Sequence, residues 1–140
     1  MPGPDGENED GIVSDGIVKG TAVADQIDEN FTGDPDGDRV DDGVAYSATV
    51  DDWVLGGEGD DSINSGDGDD LVHGEGGNDT ISSGDGNDHA QGGEGDDVIH
   101  LGEGDDRGSG NAGNDHIYGQ GGDDFLTGGD GDDKLHGGSG

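Results

Sequence analysis

The stretch Gly56-Gly57-Glu58-Gly59-Asp60-Asp61-Ser62-Ile63-Asn64 opens a run of nine nonapeptides. The run continues without insertion or deletion to the ninth copy, Gly128-Gly129-Asp130-Gly131-Asp132-Asp133-Lys134-Leu135-His136. Position four is Gly in every copy, position six is Asp in every copy, and position five is Asp or Asn. A register this strict predicts a repeat architecture, in which each unit stacks on its neighbours.

Position eight of the nonapeptide predicts the core. Its residues are Ile63, Val72, Ile81, Ala90, Ile99, Gly108, Ile117, Leu126 and Leu135. The odd-numbered repeats hold only Ile or Leu, while the two weakest members, Ala90 and Gly108, both fall in even-numbered repeats. This asymmetry predicts a structural period of about 18 residues, with odd and even strands on opposite walls. The central residue of each short strand points inward and its neighbours point outward.

The composition excludes an ordinary globular domain. The 140 residues include 35 Gly and only 24% hydrophobic residues, and 37 Asp plus Glu against 4 Lys plus Arg give a formal net charge of −33. Such acidity argues against nucleic acid and anionic membranes as partners. Cysteine is absent, and no apolar run is long enough to span a bilayer. The chain is therefore either a disordered acidic polymer or a structure held together by bound cations.

The nonapeptide resembles the RTX (repeats in toxin) family, whose repeat is a glycine- and aspartate-rich unit of the same length. The resemblance covers residues 56–136. It implies an all-β fold, a right-handed parallel β-roll (a β-helix solenoid) with 18-residue coils. In that fold the first six residues of a repeat form a turn and the last three form a strand. The strict register makes disorder a poor explanation of the composition.

The resemblance also implies calcium sites, each between the turns of adjacent coils on one side of the roll. Turn carbonyls and position-six carboxylates would be the ligands. The expected metal ligands are Asp61, Asp70, Asp79, Asp88, Asp97, Asp106, Asp115, Asp124 and Asp133. Counting the gaps between coils predicts about seven Ca²⁺ ions. Calcium suits such a site better than magnesium or zinc, because it accepts six to eight oxygen ligands in a flexible shell. The position-five residues are weaker candidates that raise the local negative potential.

The repeats also define the expected domain organisation. Residues 1–11 are expected to be a disordered acidic N-terminus, 12–55 a degenerate capping region, 56–136 the calcium-binding roll and 137–140 an incomplete tenth repeat. Residues 47–55 and 20–28 keep the nine-residue register without the full set of turn glycines. The segment Asp34-Pro35-Asp36-Gly37-Asp38 is consistent with the start of a calcium loop and equally with an acidic turn.

No catalytic constellation is recognisable, so the chain is not expected to be an enzyme. It has neither an HExxH nor a GxSxG motif, and its five His are expected to be outward-facing polar residues rather than zinc ligands. The family resemblance implies an extracellular module, exported by the type I route, that folds on binding Ca²⁺ and serves a toxin, hydrolase or adhesin domain. The type I signal is not seen in this sequence. The alternative is a stand-alone adhesin or surface-layer-like protein rigidified by calcium. The oligomeric state is left open.

Overall fold

The computed structural model describes residues 17–19, 26–27 and 51–140, and these form twelve β-strands. The strands are β1 (Ile17–Lys19), β2 (Gln26–Ile27), β3 (Trp53–Glu58), β4 (Ser62–Asp67), β5 (Leu71–Gly76), β6 (Thr80–Asp85), β7 (His89–Glu94), β8 (Val98–Glu103), β9 (Arg107–Ala112), β10 (His116–Gly121), β11 (Phe125–Asp130) and β12 (Lys134–His136). No helix occurs within these residues.

The strands make two parallel sheets of six, one from the odd-numbered strands and one from the even-numbered strands. Val54 pairs with Val72 in one sheet, and Ile63 pairs with Ile81 in the other, so neighbouring strands are 18 residues apart. Consecutive strands therefore alternate between the two walls. The predicted all-β parallel solenoid with 18-residue coils is confirmed.

The strands β1 and β2 extend the two sheets at their N-terminal ends. Ile17 pairs with Trp53, and Ile27 pairs with Ile63, an offset of 36 residues in both cases. This offset is the one that the sequence register predicts for residues 20–28. Residues 51–55 of the expected capping region are described and lead into β3, whereas residues 12–16, 20–25 and 28–50, including Asp34-Pro35-Asp36-Gly37-Asp38, lie outside the described residues.

The strands are longer than the resemblance implies, since each full strand has six residues rather than three. Strand β4 runs from position seven of one repeat to position three of the next, and the turn after it is Gly68-Asp69-Asp70. Pairing continues past the aliphatic residue, for example between Gly66 and Gly84. Position two of every repeat has a positive φ, both where it is glycine (109° at Gly84) and where it is Glu75, Asn111 or Gln120 (77° each).

Two inward-facing positions in each repeat build the core. The fully buried hydrophobic residues are Val54, Ile63, Val72, Ile81, Ala90, Ile99, Leu101 and Ile117. All but Leu101 occupy position eight. Leu101 is at position one, and its Cδ1 lies only 3.0 Å from where Gly108 would carry a Cβ. The Leu101 side chain thus fills the space that Gly108 leaves empty. The nine-residue pattern did not predict this contact.

The predicted core column weakens at its C-terminal end. Leu126 is partly buried and packs against the core cluster, whereas Leu135 in β12 is 44% exposed. Because β12 is the last strand of its sheet, no further coil covers Leu135 in the described residues. The apolar stabilisation of the roll is therefore concentrated between β3 and β10.

Candidate metal centre

The position-six aspartates lie at the inner edge of the turns, each directly before a strand. They form two columns, one on each side of the roll. The odd column is Asp61, Asp79, Asp97, Asp115 and Asp133, and the even column is Asp70, Asp88, Asp106 and Asp124. Seven of the nine are buried, while Asp124 and Asp133 near the C-terminal end are half-buried. Each column therefore places several acidic side chains close together in the interior, where their charges are poorly solvated and repel one another.

Within each column, one carboxylate oxygen is used to hold adjacent coils together. The backbone N–H of Asp70 donates to Oδ1 of Asp88 at 2.9 Å, and the N–H of Asp79 donates to Oδ1 of Asp97 at 2.8 Å. The same bond, always 18 residues apart, joins every adjacent pair from Asp52–Asp70 and Asp61–Asp79 to Asp115–Asp133. Each pair that the repeat count assigns to one coil gap is thus adjacent in space.

The second carboxylate oxygen is buried and has no hydrogen-bond partner among the described residues. This holds for Oδ2 of Asp70, Asp79, Asp88, Asp97, Asp106, Asp115 and Asp124. A buried anion with an unused oxygen is strongly disfavoured unless a cation or a proton compensates it. Four Lys plus Arg in the whole chain cannot neutralise 37 acidic residues. The unused oxygens therefore fit a column of oxygen-seeking cations.

The pKa values of the position-six aspartates reflect the same burial and mutual repulsion. Burial raises the pKa of Asp88 to about 7, with the Asp70 and Asp106 charges adding to the shift against the opposing amide hydrogen bond from Asp70. Burial likewise raises the pKa of Asp97 to about 7, and the charges of Asp79 and Asp115 add to it. Burial also raises the pKa of Asp70, Asp79, Asp106 and Asp115. Each column therefore tends to take up either protons or metal ions.

In six of the nine repeats, glycine at position one leaves room for the position-six carboxylate of the same repeat. A Cβ at Gly74 would overlap Oδ2 of Asp79, and a Cβ at Gly92 would overlap Oδ2 of Asp97. Neither glycine has a positive φ. Glycine is needed at these positions because the carboxylate oxygen occupies the place of the side chain, so that the spacing Gly-x-x-x-x-Asp has a direct steric cause.

The side chains in each coil gap offer only oxygen ligands, and there are too few of them to complete a coordination shell. No group of three or more His, Asp or Glu side chains converges anywhere in the described residues, so each coil gap has two carboxylates at most. The rest of a coordination shell would come from turn carbonyls and water. Ca²⁺ accepts that mixture at variable geometry, whereas structural Zn²⁺ sites use four N or S ligands. The donor chemistry of the columns fits calcium.

The position-five residues form a separate, exposed ladder. Oδ1 of Asp60 accepts the N–H of Asn78 at 2.8 Å, and Oδ1 of Asn78 accepts the N–H of Asp96 at 2.8 Å. The ladder continues through Asn114 to Asp132. Asp and Asn fill the same role in it, because only an oxygen acceptor is required. These side chains thus stitch the turns together, a role that the sequence did not reveal.

Three of the histidines, His100, His116 and His136, lie on the outer face of the even-numbered sheet. The His100 and Tyr118 rings stack with centroids 4.7 Å apart, and the Tyr118 and His136 rings stack at 5.0 Å. Tyr118 separates the two imidazoles in this column. His73 and His89 lie on the other sheet. The sequence predicted outward-facing polar histidines but missed the stacking, which needs the 18-residue register to be seen.

Stacked 18-residue coils with buried carboxylate columns define a parallel β-roll of the calcium-binding class. The sequence profile of the RTX calcium-binding nonapeptide repeat matches the chain four times, at residues 48–81, 73–108, 82–116 and 109–140. These matches cover more than half of the chain, which therefore belongs to the RTX calcium-binding repeat family. Neither the comparison with curated proteins nor that with solved structures gave a match. No helix in the described residues is long and apolar enough to cross a membrane.

Proposed function

We propose that this RTX module is a calcium-triggered folding unit that works outside the cell. The main support for this proposal is that the Oδ2 atoms of the position-six aspartates are buried and have no hydrogen-bond partner in the described residues. With calcium absent, mutual repulsion and desolvation of these anions favour the unfolded chain. In millimolar calcium, the paired carboxylates of adjacent coils would hold the ion, whose charge would offset their repulsion and stabilise the stack.

The ligand assignment in this proposal is one ion per coil gap, and each gap has two position-six carboxylates. The odd column offers the gaps Asp61/Asp79, Asp79/Asp97, Asp97/Asp115 and Asp115/Asp133. The even column offers Asp70/Asp88, Asp88/Asp106 and Asp106/Asp124. The assignment is supported by the hydrogen bond within each pair from the backbone N–H of one aspartate to the carboxylate of the other, because this bond keeps the two residues next to each other in adjacent coils.

The proposed setting is a secreted protein that leaves the cell unfolded and folds in external calcium. RTX repeats are typical of secreted proteins, and the formal charge of −33 keeps a calcium-free chain extended. In this proposal the module itself is not an enzyme and serves a toxin, hydrolase or adhesin activity carried elsewhere. The type I route remains part of the proposal.

A far-UV circular dichroism titration tests the folding claim. The chain is compared in chelator, in Mg²⁺ and in Ca²⁺ at one ionic strength. We expect a coil spectrum in chelator and in Mg²⁺, and a cooperative gain of β signal in Ca²⁺. Identical spectra in chelator and in millimolar Ca²⁺ would contradict the proposal.

A further inference from the structure

The outer face of the odd-numbered sheet carries a column of large side chains at position seven of the repeat. In spatial order the column is Trp53, Leu71, His89, Arg107 and Phe125. Each residue pairs in register with the next, from Trp53↔Leu71 to Arg107↔Phe125. Because position eight points into the core, position seven points outward. The column is continuous in space although its members are 18 residues apart in the chain.

The aromatic residues at the two ends of this column are open to solvent. Trp53 is 43% exposed and Phe125 is 68% exposed, and within the described residues no other ring stacks on either of them. The even-numbered sheet differs, because the Tyr118 ring there is stacked between His100 and His136. The exposed aromatic rings of the odd-numbered sheet are therefore the ones available to a partner.

Polar side chains lie beside the column on the same outer face. Position nine of these strands includes Gln91, Ser109 and Thr127. The Gln91 side-chain nitrogen lies 3.4 Å from Nε2 of His89, so positions seven and nine are within reach of each other. Aromatic rings next to amide, imidazole and hydroxyl groups suit a ligand that combines apolar C–H surfaces with hydroxyl groups.

The position-seven and position-nine side chains of β3, β5, β7, β9 and β11, here called the odd-sheet strip, include no carboxylate. Arg107 is the one permanently charged residue among them. Exposed acidic residues border the strip on both sides, namely Glu58, Glu94 and Asp130 at the strand ends and Asp51, Asp69, Asp105 and Asp123 in the turns before the strands. Acidic borders of this kind repel polyanions, so the charge distribution favours an uncharged partner.

The dimensions of the strip favour a single extended chain over a folded protein. Five strands at a spacing of ~4.8 Å give a length of roughly 19 Å, and two outward positions give a width of about 10 Å. The area, roughly 200 Å², is far below the ~800 Å² that each partner buries in a stable protein interface. A polysaccharide chain of about four sugar rings matches both the length and the width.

We propose that the odd-sheet strip binds a neutral, extended polysaccharide of the cellulose type, with its chain along the roll axis. The rings of Trp53 and Phe125 stack on sugar rings at the two ends of the strip, and Arg107 and Gln91 form hydrogen bonds with hydroxyl groups between them. In a cellulose-type glucan all ring hydroxyls are equatorial, so each sugar has apolar faces and polar edges that match such a surface. This inference goes beyond the proposed calcium function and requires only the folded roll.

The test is isothermal titration calorimetry with cellohexaose in millimolar Ca²⁺, on the full chain and on the variants Phe125→Ala and Trp53→Ala. Tyr118→Ala is the matched control, because it removes an aromatic ring from the outer face of the other sheet. Circular dichroism establishes that each variant keeps the β signal. We expect the wild type to bind cellohexaose, each odd-strip variant to bind about three- to tenfold more weakly, and Tyr118→Ala to bind as the wild type does.

Several results would overturn the proposal. The first is a wild-type chain that does not bind cellohexaose, and the second is an affinity that is the same in Phe125→Ala and in Tyr118→Ala. Tighter binding of polygalacturonate, an acidic polysaccharide, would contradict the charge argument. A wild-type dimer in sedimentation velocity that Phe125→Ala dissociates would assign the strip to a second copy of the chain. If Trp53→Ala loses the β signal, the exposed Phe125 decides.

The same measurements separate this proposal from the calcium function. A chain that folds in calcium but does not bind the glucan loses only the polysaccharide site. A chain that has the same β signal in chelator and in calcium, and binds the glucan in both, loses only the calcium-triggered folding.

Discussion

The backbone N–H of Asp79 donates a 2.8 Å hydrogen bond to Oδ1 of Asp97, its counterpart one coil further on, while Oδ2 of Asp97 is buried without a hydrogen-bond partner in the described residues. One carboxylate thus has two functions in this roll. Its first oxygen ties adjacent coils together, and its second is available to a cation.

Replacing Asp97 by Asn should weaken calcium binding, whereas replacing the adjacent Asp96 by Asn should not. Both side chains accept an amide hydrogen bond from another coil, which an Asn oxygen preserves. Only Asp97 has the buried second oxygen, and Asn naturally fills the position of Asp96 in other repeats. We expect the calcium midpoint for folding to rise at least about tenfold in Asp97→Asn. Equal midpoints for the two variants in a circular dichroism titration would contradict the assignment.

Proton binding should partly replace calcium. Burial raises the pKa of Asp88 and of Asp97 to about 7 in the folded roll, while an unfolded Asp has a pKa near its ordinary value of about 3.9. The folded form therefore holds more protons between these values, and the calcium-free roll gains stability as the pH falls from about 7 toward 4. This stability is lost again as the pH rises through 7.

A pH series in chelator measures this effect by the β signal in circular dichroism. We expect more β structure at pH 5 than at pH 8 without calcium, and a weaker calcium affinity at pH 5, because protons compete with the ion. A β signal in chelator that does not change, or that increases with rising pH, would show that the columns are not desolvated as described.

Position one provides a steric prediction. Gly92→Ala should destabilise the calcium-loaded roll by about 1–3 kcal/mol, because its Cβ overlaps the Asp97 carboxylate. Gly76→Ala is the control: it also lies in a strand of the odd-numbered sheet at ordinary φ, and its Cβ would lie 3.4 Å from the flexible Glu58 side chain. Thermal unfolding in excess calcium compares the two variants. Similar losses in both would indicate that strand glycines are interchangeable here.

The hydrophobic core offers a test of coupling between Leu101 and Gly108. Leu101→Ala should cost about 2–5 kcal/mol, because the space beside Gly108 becomes a cavity. Gly108→Ala should overpack the wild-type core, since its Cβ would lie 3.0 Å from both Leu101 and Ile117.

In the Leu101→Ala background the same Gly108→Ala change should be tolerated, because it partly fills the cavity. A double-mutant cycle from denaturant unfolding in calcium measures the coupling. Additive losses from the two changes would contradict the packing described here.

The architecture was predictable from sequence because it depends on period alone. Gly at position four and Asp at position six of all nine repeats, with an aliphatic residue at position eight of eight of them, place the turn, the carboxylate column and the inward side chain. Pairing at 18 residues, as between Ile81 and Ile99, follows from the odd–even asymmetry. The aspartate columns follow from the same period.

The features that escaped prediction depend on contacts between coils at positions the motif leaves variable. Leu101 is buried because Gly108 has no side chain, a relation between two residues at different positions of the repeat. The hydrogen bond from the Asn78 N–H to Asp60 and the stacking of His100 on Tyr118 likewise join residues 18 apart. The six-residue strands were missed because glycine-rich positions one to three have low strand propensity, and pairing with adjacent coils overrides it.

Counting the calcium ions bound to the folded chain, for example by native mass spectrometry after dialysis in millimolar Ca²⁺, is the most direct test of calcium binding by the aspartate columns. One ion in each gap between position-six aspartates predicts about seven ions per chain. Asp97→Asn, which alters two of those gaps, should lower the count by up to about two. A folded chain that holds no calcium, or one whose count is the same in wild type and in Asp97→Asn with unchanged affinity, would show that the position-six aspartates do not bind the ions.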